Sequence, residues 1–121
     1  MLVLEVKGNH ITIRKAKYED LKEATYTLLN LIPIGKVSTY KDIALILNKS
    51  PRIIGKILKE NDKPIIIPCH RVVDTRGYLR GYSLGGLKVK EKLLSLEGVR
   101  IKDYKVSRKY FISLSKILGF Q

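Results

Sequence analysis

The chain has 121 residues, with 24 Lys or Arg against 11 Asp or Glu, so its formal net charge at pH 7 is +13. This length fits one domain, and a hydrophobic content of 45% excludes a disordered composition. No apolar run approaches the roughly 20 residues that cross a bilayer, and the first residues lack a secretory signal, so we expect a cytoplasmic protein without a membrane partner. On charge alone DNA, RNA and an acidic membrane surface all fit as a polyanionic partner, and of these we favour nucleic acid.

The N-terminal residues 2–15 form two runs of alternating hydrophobic and polar residues around Gly8-Asn9. This pattern predicts a β-hairpin. Because a two-stranded hairpin is too small to be a domain, we expect residues 1–19 to be a short added element and residues 20–121 to be the main domain.

Three helices are predicted next. Asp20 with Glu23 resembles a capping box at the start of the first helix, whose apolar face extends to Ile32. Thr39 can cap a second helix over residues 40–47. Ser50 can cap a third, which begins with Pro51 and has a predicted apolar stripe of Ile53, Ile54, Ile57 and Leu58. Two short helices across a tight turn indicate a helix-turn-helix, whose second helix usually reads DNA, although many helical hairpins bind no DNA.

The rest of the chain alternates between short ordered segments and loops. Ile65-Ile66-Ile67 predicts a buried extended segment that leads into residues 68–73, with the sequence Pro-Cys-His-Arg-Val-Val. Residues 74–86 contain four glycines and predict a loop, and helices are predicted over 87–96 and 107–118. These elements therefore predict a mainly α fold with a helix-turn-helix and a short N-terminal β-hairpin.

The single cysteine, Cys69, is the first candidate for chemistry. It cannot form an internal disulfide or a Cys-rich zinc site, and its default interpretation is core packing. However, the thiolate is the nucleophilic form of cysteine, and the adjacent His70 and Arg71 supply a base and a positive charge. Neighbours in an extended strand point to opposite sides, so a proton relay through water is predicted, with a carboxylate orienting His70. Buried packing of both residues remains the alternative.

Several segments together resemble the O6-alkylguanine-DNA alkyltransferases. They are the hexapeptide at residues 68–73, the Gly-Tyr-Ser of residues 81–83, residues 33–40, Asn61 and residues 93–98. The similarity runs from about residue 20 to residue 98. It implies a winged helix-turn-helix-like DNA-binding and catalytic domain. It also implies repair of duplex DNA that contains O6-alkylguanine, with O4-alkylthymine as a second candidate substrate.

The resemblance implies roles for catalytic residues. Cys69 matches the alkyl acceptor, His70 the base that takes the thiol proton through a water, and Glu97 the carboxylate that orients this histidine. Tyr40 matches the tyrosine that helps to rotate the target nucleotide and protonates the leaving guanine at N3. Because a thioether does not hydrolyse, each molecule is expected to act once, as a suicide enzyme without a metal or an organic cofactor.

The resemblance also implies DNA-binding and pocket residues. Arg52 matches the arginine that replaces the flipped base in the stack, and Asn61 the residue that braces the turn before the active site. The other expected DNA contacts are Tyr40, Ser38, Thr39 and Arg71, and the expected substrate pocket is lined by Pro68, Tyr82 and Ser83. We expect the protein to act as a monomer.

Two features depart from the family pattern: the part before the first shared helix is short, and Leu84 is inserted in the pocket loop. Two other functions stay open. One is a module that recognises alkylated DNA without transferring the group, although the branch of the family with this property lacks the cysteine. The other is a helix-turn-helix regulator in which Cys69 is structural.

Overall fold

The computed structural model describes residues 1–82 and 85–120. Its elements follow the order β1, β2, α1, β3, α2, α3, β4, α4, β5, β6 and α5. Their bounds are β1 Leu2–Lys7, β2 His10–Lys15, α1 Tyr18–Leu29, β3 Ser38–Thr39, α2 Tyr40–Leu47, α3 Pro51–Lys59, β4 Val72–Val73, α4 Leu87–Leu96, β5 Ile101–Lys102, β6 Lys105–Val106 and α5 Leu114–Ile117. The mainly α expectation is confirmed. No helix in this described part of the chain has both the length and the apolar character needed to cross a membrane.

The predicted N-terminal hairpin is confirmed. β1 and β2 pair antiparallel around a turn in which Gly8 adopts a φ of 59°. Arg14 connects the hairpin to α1, because its guanidinium contacts Glu5 and donates to Asp20 at 2.6 and 2.9 Å. One face of the hairpin is apolar and 66% to 71% exposed, and it consists of Leu2, Leu4, Val6, Ile11 and Ile13.

Helix α1 begins two residues before the predicted capping box. Lys17 is the N-cap, and Asp20 lies in the first turn, where its carboxylate accepts a hydrogen bond from the Lys17 N–H at 2.7 Å. The prediction that Asp20 begins the helix is therefore wrong. A carboxylate at the third helical position accepts a hydrogen bond from the N–H of the N-cap residue. An acidic residue here is therefore compatible with a helix that starts at Tyr18 and with one that starts at Asp20. Leu28 and Leu29 of α1 are buried.

The predicted pair α2–α3 is confirmed, together with both caps. The Thr39 hydroxyl accepts a hydrogen bond from the Asp42 N–H at 3.0 Å, and the Ser50 hydroxyl accepts one from Ile53 at 3.3 Å. Asn48 ends α2 in the left-handed region with a φ of 54°, which allows the tight turn. The predicted apolar stripe of α3 is buried except for Ile53, which is 37% exposed and therefore does not belong to it.

The segment before the cysteine differs from the prediction. Ile65 and Ile66 are 53% and 77% exposed in a turn, so the expectation of a buried extended segment is wrong. The Ile67 N–H donates to the Lys63 carbonyl at 2.9 Å and closes this turn. Residues 69–71 then form one turn of 3-10 helix, and β4 follows and pairs in parallel with β3. Cys69 and His70 consequently do not alternate as they would in a strand.

The C-terminal segment is also not the single helix predicted over residues 107–118. Residues 108–110 form a 3-10 turn, an extended stretch follows, and only α5 is α-helical. The extended stretch lies against Val37, which donates to the Tyr110 carbonyl at 2.9 Å and accepts from Ile112 at 2.8 Å. The Asp42 carboxylate then accepts from the Leu114 N–H at 2.7 Å. These contacts with residues near position 40 override the local helical pattern, and the tail packs on the core.

Two clusters of buried side chains hold these elements together. The first joins α1, α2, α3 and α5, and Cys69 belongs to it. The second lies under α4 and includes Val73, Leu94 and Val106. The loop at Gly77 seals the second cluster, since the Val106 N–H donates to its carbonyl at 2.9 Å. A Cβ atom at Gly77, where φ is 93°, would lie 2.3 Å from the Val106 oxygen, so only glycine fits.

Candidate active site

Cys69 lies at the start of the 3-10 turn and is 3% exposed. The Asn61 side-chain amide donates to its Sγ atom at 3.3 Å and to the Ile67 carbonyl at 3.0 Å. The Asn61 Oδ1 atom accepts from the Lys63 N–H at 2.9 Å. Asn61 therefore joins the end of α3, the exposed turn and the sulfur atom. An N–H donor directed at sulfur favours the charged thiolate over the thiol.

His70, Arg71 and Glu97 form a hydrogen-bonded group behind the cysteine. The His70 Nε2 atom lies 3.0 Å from Glu97 Oε2, and Arg71 donates to the two oxygens of Glu97 at 2.9 and 2.8 Å. Arg71 also donates to the Ile32 carbonyl at 2.9 Å. Because residues 70 and 71 of the 3-10 turn both reach the end of α4, one carboxylate binds both the imidazole and the guanidinium.

The charges in this group are set by burial and hydrogen bonding. Burial lowers the pKa of His70 below its ordinary value, against the opposing effect of Glu97. Burial would raise the pKa of Glu97, but hydrogen bonds from Arg71 and His70 outweigh it and lower the value. At pH 7 Glu97 is thus ionised and His70 neutral, so Nε2 carries the proton and Nδ1 the lone pair. Nδ1 is buried and has no hydrogen-bond partner among the described residues.

A cavity of about 470 Å³ lies in front of Cys69, within the size range of roughly 300–1,000 Å³ that is typical of small-molecule sites. Residues of α2 and α3 line one side and residues of the loop after β4 line the other. Tyr40, Arg52, Cys69 and Tyr82 are all among the lining residues. The structure therefore brings together four of the residues that were singled out in sequence, from four separate segments.

Both tyrosines of the cavity keep their protons. Burial, with a smaller effect of the nearby Cys69, raises the pKa of Tyr40 to about 12 and that of Tyr82 to about 12. The Tyr82 hydroxyl is buried and has no hydrogen-bond partner in the described ranges 1–82 and 85–120. Its ring meets the His70 ring edge-on, with the centroids 6.3 Å apart. Tyr40 can consequently act as a hydrogen-bond donor in the cavity and not as a base. Ser83 and Leu84 lie outside the described residues.

The predicted DNA contacts divide into two groups. Arg52 is exposed near the start of α3 and lines the cavity, and Thr39 is partly exposed at the start of α2. Ser38, in contrast, is fully buried and donates to Asp42 at 3.1 Å, while the Arg71 side chain is 13% exposed and paired with Glu97. The prediction of direct DNA contacts by Ser38 and Arg71 does not match this placement. Both side chains are instead used inside the protein.

Lys90 is the residue near the site that sequence reasoning missed. It lies on α4 and is fully buried, although lysine on a helix is usually solvated. Its Nζ atom donates to the Arg80 carbonyl at 3.1 Å and lies 5.9 Å from the centre of the Tyr40 ring. A sequence signal did exist, because position 90 lies one helical turn before the buried Leu94 and hence on the inward face.

Comparisons with known proteins establish the family. Residues 20–99 match the family described as 6-O-methylguanine DNA methyltransferase, DNA binding domain. This segment is more than half of the chain, so the protein belongs to that family, and the predicted relationship to the alkylguanine alkyltransferases is confirmed.

Two curated relatives are similar in sequence. The chain is 53% identical over 105 residues to the methylated-DNA–protein-cysteine methyltransferase of Saccharolobus solfataricus, covering 84% of the chain and 68% of that protein. It is 49% identical over 72 residues to the protein of the same name from Pyrobaculum aerophilum, covering 60% of the chain and 48% of that protein.

Solved structures show the same fold. The O6-methylguanine-DNA methyltransferase of Pyrococcus kodakaraensis is 42% identical with a TM-score of 0.61, covering 65% of this chain and 46% of that one. Atl1 of S. pombe, in complex with damaged DNA containing O6-carboxymethylguanine, is 26% identical with a TM-score of 0.72, covering 80% of this chain and 98% of that one. Mycobacterium tuberculosis OGT in complex with DNA is 36% identical with a TM-score of 0.62, covering 65% and 49%.

Proposed function

We propose that the protein repairs duplex DNA by transferring the alkyl group of an O6-alkylguanine to its own Cys69. The observation that carries this proposal is the position of Cys69 at the cavity with the His70–Glu97 pair beside it. A nucleophilic cysteine requires a base, and the base requires a group that orients it. The family relationship supports the same chemistry.

The reaction begins with the loss of the thiol proton to His70 Nδ1 through a water, with Glu97 stabilising the imidazolium that forms. The sulfur lone pair then attacks the alkyl carbon, an S–C bond forms, and the C–O6 bond breaks with its electrons moving to the guanine. The leaving guanine takes up one proton, and the Tyr40 hydroxyl is its donor in the cavity. Tyr40 then regains a proton from solvent or from His70. The thioether is stable in water, so the protein acts once.

The DNA side of the proposal rests on charge and on α3. Guanine O6 is inaccessible inside a duplex, so the target nucleotide has to rotate out of the stack into the cavity. Arg52 lies at the cavity near the start of α3, where its long planar side chain can occupy the vacated position. The net charge of +13 supports strong, salt-sensitive phosphate binding.

Other parts of the proposal concern organisation. We propose that α2 and α3 act as the winged form of a helix-turn-helix, that residues 1–19 are a separate element, and that the protein works as a cytoplasmic monomer. Asn61 acts as the brace of the active-site turn, consistent with its hydrogen bonds to Ile67 and Lys63. Pro68, Tyr82 and Ser83 are proposed as pocket residues.

An intact-mass measurement tests the transfer. The protein is incubated with a duplex that contains one O6-methylguanine, with an undamaged duplex and with no DNA. We expect a gain of one methyl group with the damaged duplex alone, and no gain in Cys69→Ala under any condition. Tight binding to the damaged duplex with unchanged mass would contradict transfer and favour a recognition module, for which the likeness to the Atl1 complex is the supporting observation. Equal binding to both duplexes without transfer would favour a regulator.

A further inference from the structure

The short β5–β6 hairpin has two features that work against its own stability. Asp103 and Tyr104, the two residues of its turn, have φ values of 52° and 59°, although glycine is favoured where such turns require a positive φ. Lys102 and Lys105 lie directly opposite each other in the strand register, where like charges repel. Strained backbone is retained most often where it serves a function. The β5–β6 hairpin is therefore a candidate binding element.

A cavity of about 800 Å³ lies beside the β5–β6 hairpin, and its charged side chains have one sign. Those that line it among the described residues are all basic and exposed, namely Arg100, Lys102, Lys105 and Lys109. The ion pairs found within residues 1–82 and 85–120 include none of them. Asp103, the acidic residue of the hairpin, lies at its turn and does not line this cavity. Ser107 and Tyr110, which carry hydroxyl groups, also line it. Basic and hydroxyl side chains are the usual partners of phosphate oxygens.

The β5–β6 hairpin is attached to the loop that lines the Cys69 cavity. The Leu79 N–H donates to the Tyr104 carbonyl at 2.8 Å. Arg108, just after the hairpin, donates to the carbonyl of Thr75 at 3.5 Å, and Thr75 lines the Cys69 cavity. Helix α3 lines the other side of that cavity. A duplex that places one nucleotide in the cavity can therefore extend along the β5–β6 hairpin as well as along α3.

We propose that the β5–β6 hairpin, with the adjoining Arg100 and Lys109, forms a second contact surface for the phosphate backbone of duplex DNA, away from the damaged nucleotide. The phosphates offset the repulsion between Lys102 and Lys105. Because phosphate groups are the same at every nucleotide, this contact is independent of base sequence and orients the duplex on the protein. The proposal rests on duplex DNA as the partner under the proposed function, but it does not require alkyl transfer.

A structural role is the alternative explanation for these basic side chains. Ser95 and Gly98, at the C-terminal end of α4, line the same cavity, and the helix dipole favours positive charge at this end. In that case neutralising Lys102 and Lys105 would lower the melting temperature and leave the salt dependence of DNA binding unchanged. If the lysines instead bind phosphates, their neutralisation removes a repulsion, and the melting temperature does not fall.

The test compares double variants that each remove two positive charges. Lys102→Gln/Lys105→Gln changes the β5–β6 hairpin, and Lys7→Gln/Lys15→Gln, at exposed positions of the N-terminal hairpin, is the matched control. The dissociation constant for an undamaged duplex is measured at several salt concentrations. Methyl transfer from a duplex that contains O6-methylguanine is measured at saturating DNA, where differences in affinity no longer matter.

The fold of each variant is checked by circular dichroism melting. Arg100→Gln/Lys109→Gln provides a second variant of the same surface and leaves both strands of the β5–β6 hairpin unchanged. This variant keeps the comparison possible if the first one does not fold.

We expect the slope of log affinity against log salt concentration to become less steep by about two in Lys102→Gln/Lys105→Gln, since each lost phosphate contact contributes about one. The affinity at about 0.1 M salt should fall by about tenfold or more. The transfer rate at saturating DNA should match that of the wild type. Arg100→Gln/Lys109→Gln should also lower the slope, whereas Lys7→Gln/Lys15→Gln should bind as the wild type does.

An unchanged slope in the folded variants of this surface would overturn the proposal, even if methyl transfer is normal. An equal fall in slope in Lys7→Gln/Lys15→Gln would also contradict it, because the cause would then be net charge. Pyrophosphate at constant ionic strength tests for a small-anion site. If it raises the melting temperature of the wild type alone while the DNA slope is unchanged in the variants, the surface binds a free phosphate compound and not DNA.

The outcomes for the two proposals are separable. If the wild type takes no methyl group from damaged DNA but the slope still falls in Lys102→Gln/Lys105→Gln, the proposed transfer fails while the second DNA contact stands. If transfer occurs and the slope is unchanged, the second contact fails while the proposed function stands.

Discussion

The N-terminal hairpin and the surroundings of Cys69 depart in opposite ways from the usual distribution of polar and apolar side chains. The hairpin exposes a row of five large apolar residues and is attached through the solvent-accessible ion pairs of Arg14. The site buries His70, Lys90 and Asn61 almost completely. Scattered apolar residues at a surface are common, but buried polar groups are costly and are retained with partners or for chemistry. This contrast indicates that the functional site lies around Cys69 and not in the hairpin.

The same residue types are therefore expected to contribute different interaction energies in the two regions. Each region contains a histidine, a glutamate and an arginine. In the hairpin Arg14 contacts Glu5 while both side chains are 30% exposed, whereas in the site Glu97 binds both His70 and Arg71 and no side chain of the three is more than 17% exposed. Low solvent exposure strengthens electrostatic interactions and makes the loss of one partner more costly. Substitutions of matched residues in the two regions should consequently differ in effect.

The largest difference in methyl-transfer rate is expected between variants of the two histidines. His70→Phe removes the base at Nδ1 and should slow methyl transfer by about 100-fold or more, the range typical of general-base loss. His10→Phe, in the exposed hairpin, should transfer at the wild-type rate. Single-turnover transfer rates at pH 7.5 give both values, and a fast His70→Phe would mean that His70 is not the base. Because the pKa of His70 is lowered, the wild-type rate should decrease only below its ordinary value of 6.5.

The next largest difference, in the free energy of unfolding, is expected between variants of the two glutamates. Glu97→Gln leaves Arg71 and His70 without their charged partner and should lower the free energy of unfolding by about 2 kcal/mol at pH 7. Glu5→Gln, in a partly exposed ion pair, should lower it by at most about 1 kcal/mol. Urea denaturation provides the comparison.

The pH dependence of this difference has a defined sign. Folding lowers the pKa of Glu97, so its stabilising effect is present above the ordinary value of 4.5 and is lost as the pH falls through the folded value. The gap between the two variants should close in acid. A gap that does not shrink at all as the pH falls below 4.5 would show that the charge of Glu97 is not its cause.

The smallest effect is expected on the apolar face of the hairpin. Leu4 and Ile13 face each other across the strands, and both are largely exposed. Replacing both with threonine should change the free energy of unfolding by less than about 1 kcal/mol and leave the transfer rate unchanged. Ile57→Thr, at a fully buried position of α3, is the matched control and should cost about 2 kcal/mol or more. A large loss in the hairpin variant would show that this face is covered in solution.

Sequence alone predicts those features of this fold that depend on neighbouring residues. The caps at Thr39 and Ser50 and the turn at Gly8 are of this kind, because each side chain or dihedral angle acts within a few positions. The turn at residues 65–67 was missed because it depends on the reach of the Asn61 amide. The tail was missed because Val37, far away in the chain, fixes its backbone.

The candidate site shows the same division between features set by neighbouring residues and features set by residues far away in the chain. The proposed nucleophile, base and orienting acid follow from one hexapeptide and a resemblance. The burial of Ser38 and Lys90 could not be inferred, because both residue types are ordinarily exposed. The pairing of Arg71 with Glu97 also depends on where the end of α4 lies relative to the 3-10 turn.

Asp42 connects the first residues of α2 to the end of the chain. Its carboxylate accepts hydrogen bonds from Ser113, Leu114 and Ser115, more than 70 positions later. Contacts between residues so distant in sequence form late, because a long loop must close before they stabilise anything. During synthesis α2 and α3 would thus emerge well before the segment that secures them. We infer a folding order in which α2 and α3 associate early and become rigid only when residue 115 arrives.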